Sequence, residues 1–140
     1  MFNFLKKIFP SKHEKDVKEL RPIVDDINEF YKEYNSLTDD ELRAKTAEFR
    51  EIIRKNTHEF EDKIVELRSK LTNDITHDER KEIYDELEKN EKLLDETIED
   101  TLNELLPQAF AVVKDTCRRL CGKEWLAAGQ RVQWDMIPFD

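Results

Sequence analysis

Apolar residues return along this chain in steps of three and four and hardly anywhere in steps of two, so its elements read as helices. Val17, Leu20, Val24, Ile27, Tyr31 and Tyr34 form a seam that another helix must cover. Pro22 falls inside the seam. Because the period survives the proline, the pattern predicts a kink or a break near Arg21 and not the end of the element. Thr-Asp-Asp-Glu at Thr38 to Glu41 is a capping box that opens a second helix running to about Lys55, with Leu42, Phe49, Ile52 and Ile53 inward. Phe60, Ile64, Leu67 and Leu71 carry the period on until Thr72 to Thr76 breaks it, and Thr76 to Glu79 is a second capping box. Ile83, Leu87, Asn90, Leu94, Ile98, Leu102 and Leu105 then predict a long, straight helix that pairs with the arm before it as an antiparallel hairpin.

The densest apolar stretch with the fewest charges is Leu105 to Gly122, predicted as a core helix at 106–121. Pro107 suits its first turn, Gly122 suits the position just past its end, and Arg118 and Arg119 complement its C-terminal dipole. Phe110, Val113, Cys117, Leu120 and Cys121 recur at helical spacing as its inward face. The tail after Gly122 has both tryptophans and no lasting period, so it reads as an irregular loop or short helix meant to lie against something. The expected fold is all-α: N-terminal helices and a long antiparallel helical hairpin packed around the core helix. The expected segments are 1–12, 13–56, 57–104, 105–122 and 123–140.

Composition sharpens this picture. Of the 140 residues 41% are charged and only two are glycine, which suits long solvated helices. The net charge of −9 is concentrated: residues 57–104 carry 17 acids and 7 bases, a net of −10, so the rest of the chain sums to +1. An acidic chain without a basic stripe repels phosphate backbones, which argues against nucleic acid as a partner. The acidic surface reads as a solvated face, with a docking surface for a basic partner as the alternative.

At the amino terminus Phe2, Phe4, Leu5, Ile8 and Phe9 surround Lys6 and Lys7, with Lys12 close behind. This is a short basic amphipathic element able to lie in the headgroup region of an anionic membrane. A frayed terminus, or a terminal helix folded onto its own domain, is the other reading. The longest uncharged apolar run, Ala109 to Val113, is five residues, far short of a membrane span. The N-terminal sequence lacks the apolar region and cleavage site of a signal peptide, so a cytoplasmic chain is expected.

Chemistry is represented mostly by absences. There is no phosphate loop, dinucleotide fingerprint or nucleophile motif. The run Asp74 to Asp78 is followed by Glu79 where a calcium loop needs its turn glycine, and Asp85 stands where it needs a bidentate glutamate. His13, His58 and His77 lie among acids and read as surface residues. Cys117 and Cys121, spaced C-x3-C, read as small buried hydrophobes in a reducing compartment. No metal site is expected.

Two stretches are specific. LTDDELRAKTAEFR (Leu37 to Arg50) and LPQAFAVVKDTCRRLCG (Leu106 to Gly122), with a chain heading into Phe139 and Asp140, closely resemble the amino-terminal region of the SecA family of bacterial preprotein translocase ATPases. The resemblance covers about two thirds of the chain; residues 57–102 look like an extra helical hairpin of the sort some lineages, Bacteroidetes among them, carry between the two motifs. It implies a fragment that anchors and positions an ATP-hydrolysing motor, with ATP and magnesium bound beyond this stretch. Phe2, Phe4, Leu5, Lys6, Lys7, Ile8, Phe9 and Lys12 would contact anionic phospholipid and the SecYEG channel at the inner membrane, where the parent associates peripherally. Preprotein would be the cargo, and a homodimer is left open. Met136 and Phe139 would fall on the adenine side of the nucleotide site, although Ile137 and Pro138 depart from the commoner pattern there. The alternative is a free-standing acidic helical interaction module without catalysis.

Overall fold

The computed structural model describes residues 12–133. Three helices, α1 (Lys12–Tyr34), α2 (Asp39–Lys70) and α3 (His77–Leu120), precede a two-stranded antiparallel sheet of β1 (Glu124–Ala127) and β2 (Gln130–Gln133). The fold is predominantly α, as the periodicity requires. Both capping boxes form. Thr38 Oγ1 accepts from the Glu41 N–H while the Thr38 N–H and hydroxyl donate to Glu41 Oε2, and Thr76 and Glu79 repeat the arrangement. Each box satisfies N–H groups that the first helical turn leaves without partners.

The helices are longer than the pattern suggested. No break occurs near Arg21, because α1 is continuous through Pro22. The carbonyl of Lys18, which loses its donor there, lies in an exposed stretch where water can serve it. Likewise no helix ends near Lys55: the sequence becomes acidic there, but a change of charge contains no stop signal, and α2 runs through it. Pro107 does not start a helix either. It sits inside α3, and the Asn103 carbonyl it deprives of a partner belongs to an exposed residue.

Two compact units divide the chain, one comprising the residues up to Leu42 and from Pro107 onward, the other Arg43–Leu106. In the second, Ile64, Leu67 and Leu87 form the core, with Leu71, Ile83 and Leu94 packed against them. This is the expected hairpin seam, and burying Leu67 alone stabilises it by about 2 kcal/mol. The seam departs from expectation at its far end. Leu102 is 49% exposed whereas Thr101 is 3% exposed, with Oγ1 accepting a 3.1 Å hydrogen bond from Asn56 Nδ2. Thr57 is buried beside this pair and its hydroxyl donates to Glu61. Ile52 is also exposed, contrary to its expected inward position.

In the first unit Tyr34, Leu42 and Ala111 form the core, and Ile27, Phe30, Tyr31, Leu37 and Val112 pack against it. The face of α3 that enters this core is not the expected one. Phe110 and Val113 are 56% and 58% exposed, Cys121 is exposed and Cys117 half-buried, while Ala111 and Asp115 are fully buried. Periodicity identified an apolar stripe but not which stripe meets α1. The stripe that does so offers a small residue for close approach and polar groups with partners: Tyr34 Oη donates to Gln108 Oε1, and Lys114 donates to Asn28 Oδ1 while lying over the Tyr31 ring.

The tail is also a correction, since a β-hairpin replaces the expected loop or short helix. Trp125 pairs with Val132 and Ala127 with Gln130, leaving Ala128 and Gly129 as a two-residue turn. Both have positive φ, 50° and 78°, the requirement of a type I′ turn. Ala-Gly is a weak form of the Asn-Gly signal, so this turn is hard to read from residue type alone. Gly122, at φ 74°, ends α3 in the left-handed conformation.

Candidate functional site

The strongest polar constellation among the described residues surrounds Asp115. Its side chain is fully buried, and both oxygens are taken: Oδ1 accepts from Nε and Nη2 of Arg118, and Oδ2 accepts from Nε of Arg119. These contacts lie between 2.7 and 2.8 Å. Spacings of three and four along α3 place the two guanidinium groups on the same side as the carboxylate. Arg119 reaches further. Its Nη1 donates to Asp39 Oδ1 at 2.7 Å, and its Nη2 donates to the backbone carbonyls of Tyr34 and Leu37.

One guanidinium therefore holds the end of α1, the α1–α2 turn, the start of α2 and the last turns of α3. Asp39 in the first place, and then Asp115, keep the Arg119 pKa above its usual range, so the charge is permanent. This is a mechanical clasp. Both Asp115 oxygens are engaged by guanidinium groups, so the arrangement fixes the geometry of the chain. The sequence marked Arg118 and Arg119 only as favourable to the helix dipole. The signal that could have revealed more is Asp115 itself, a charged residue in the midst of the least charged stretch.

The membrane-facing candidates Phe2, Phe4, Leu5, Lys6, Lys7, Ile8 and Phe9 lie outside the described residues, as do Met136 and Phe139. Lys12 is exposed as the first residue of α1. His13, His58 and His77 are exposed, and His58 Nδ1 lies 2.9 Å from the Lys55 carbonyl oxygen. Among the described residues no group of histidines, cysteines and acids is placed to hold a metal ion, and no helix is long and apolar enough to cross a membrane.

Some apolar residues of the first unit remain uncovered. Val17, Leu20 and Val24 on α1, Phe110 and Val113 on α3, and Leu126 on β1 are exposed. Helices clasped at one end with apolar stripes left exposed define a class, an α-helical unit with an uncovered apolar surface.

Known proteins give that class a family. The chain belongs to the SecA DEAD-like domain family, whose pattern matches residues 5–137. It is 41% identical to a protein translocase subunit SecA of Salinibacter ruber over 160 aligned positions, 45% identical to that of Chloroherpeton thalassium over 141, and 43% identical to that of Chlorobaculum tepidum over 141. Each alignment covers 100% of this chain and 14% of the relative, so the chain spans about a seventh of the length of these relatives. No solved structure matches it significantly.

Proposed function

We propose that the chain serves as the N-terminal portion of an ATP-dependent protein translocase motor, anchoring it and packing on its first nucleotide-binding domain. The observation that supports this most directly is the family match across residues 5–137, in a chain that corresponds to 14% of its relatives. The exposed stripes agree with it: Phe110 and Val113 offer the apolar surface that a neighbouring domain would cover. In this reading ATP and magnesium are bound by the parent outside the chain, apart from Met136 and Phe139 on the adenine side. Residues 1–12 attach the motor to anionic phospholipid and the SecYEG channel, the preprotein is the cargo, and the location is the cytoplasmic face of the inner membrane. Residues 57–104 are an acidic helical insert.

The test is co-sedimentation with vesicles. The chain should bind vesicles of anionic phospholipid and not neutral ones, and deletion of Met1 to Lys12 should abolish binding. The three lysines contribute about 1 kcal/mol each near a charged surface, an amount that fades with salt over a screening length of about 8 Å. Equal binding to neutral lipid, or binding that survives the deletion, would remove the anchoring part of the reading.

A further inference from the structure

A two-helix hairpin has a single layer of seam residues, so the furrow between its helices faces solvent. Between α2 and α3 that furrow is a shallow groove of ≈ 420 Å³ with Ile64, Val65 and Leu94 along its floor. Ile64 belongs to the hairpin core, Leu94 is half-buried, and Val65 is 67% exposed, an apolar side chain that neither arm covers. Glu61, Glu91 and Asp95 stand at the rim. The one base there, Arg68, is paired with Glu91 at 2.8 Å in an exposed contact that a competing cation can replace.

We propose that this groove is a docking site for a basic amphipathic helix of a partner protein, whose apolar face would cover Val65 and Leu94 while its lysines or arginines meet Glu61, Glu91 and Asp95. Helix-in-groove recognition needs an apolar floor and a rim of the opposite charge to the ligand, and both are present. Charge also selects the occupant. A second copy would bring its own segment of net −10 against the first, and a nucleic acid would bring phosphates, so both are repelled; a cationic helix is attracted over a distance as well as in contact. The inference does not depend on the translocase reading, since it uses only residues of the hairpin.

The full chain can be titrated into a fluorescein-labelled helical peptide of about 18 residues with leucines on one face and lysines on the other. Anisotropy should show saturable binding, and amide NMR shifts in the full chain should change around Ile64, Val65 and Leu94. Glu61→Lys with Asp95→Lys, and separately Val65→Asp, should each weaken binding about tenfold, as the loss of a central contact does. All three positions are exposed, and circular dichroism melts verify that the variants remain folded. A peptide of the same composition with its leucines moved off the helical period should also bind about tenfold more weakly. Undiminished binding by Val65→Asp or by the shuffled peptide would mean unspecific attraction between charges and overturn the proposal. So would shifts spread elsewhere on the chain, a measurement on the unmutated protein that needs no variant to fold.

Discussion

Arg119 donates to Asp39 across 80 positions of sequence, at 2.7 Å, while the same guanidinium holds the buried Asp115 on its own helix. Removing Arg119 leaves the buried Oδ2 of Asp115 and the Tyr34 and Leu37 carbonyls without this donor, although Arg118 still holds Oδ1, and buried acceptors left without a donor cost more than the contacts contribute. Arg119→Ala should therefore destabilise the chain by about 3 kcal/mol in urea unfolding. Arg119→Lys should recover only part of that loss, because an ammonium cannot reproduce a fork that reaches two carboxylates and two carbonyls. A loss below about 0.5 kcal/mol for Arg119→Ala would show the clasp to be incidental.

The capping boxes predict a pH dependence. Glu41 is held below its usual 4.5 by the Thr38 backbone N–H and then the hydroxyl, and Glu79 by the Thr76 hydroxyl and then the backbone N–H. A carboxylate with a depressed folded value stabilises the fold above its unfolded value, and that contribution fades as the pH falls below 4.5 through the folded value. Amides in the first turns of α2 and α3 should exchange faster as the pH falls through this window, once corrected for intrinsic rates. Glu79→Gln should remove the change in α3 alone. At neutral pH, Thr76→Ala should cost about 1 kcal/mol.

Ala128 sits at φ 50°, where a β-carbon is strained. Ala128→Gly should relieve about 1 kcal/mol of this and raise amide protection in β1 and β2. Asn at the same position should act in the same direction. Unchanged or reduced protection in both variants would count against the type I′ turn.

Deletion of residues 57–100, with a short Gly/Ser linker from Asn56 to Thr101, should leave the first unit folded. Its core draws on Tyr34, Leu42 and Ala111 and their neighbours, none of which is removed. Changing the length of a connection alters closure entropy by only about 0.6 kcal/mol per doubling, well under the cost of a core cavity. Loss of the cooperative melting transition, followed by circular dichroism, would show that the first unit needs the hairpin.

Local rules were enough for much of this chain. The helical class, the two capping boxes, the 72–76 turn and the seam from Ile64 to Leu94 are all contained in spacing and end chemistry, because each depends on residues within a turn or two of one another. The motifs Leu37 to Arg50 and Leu106 to Gly122 likewise pointed to the family on sequence alone. Tertiary structure decided which stripe of α3 is buried, since a helix carrying Phe110 and Val113 on one face and Ala111 and Asp115 on another presents two candidate faces, and only the arrival of α1 selects between them. It also decided that Thr101 and not Leu102 faces Asn56, and that Arg119 reaches Asp39. A buried polar residue needs a partner, and Asp115 finds two within a turn of its own helix, but the partners of Thr101 and Lys114, 45 and 86 positions away, leave no trace in local periodicity.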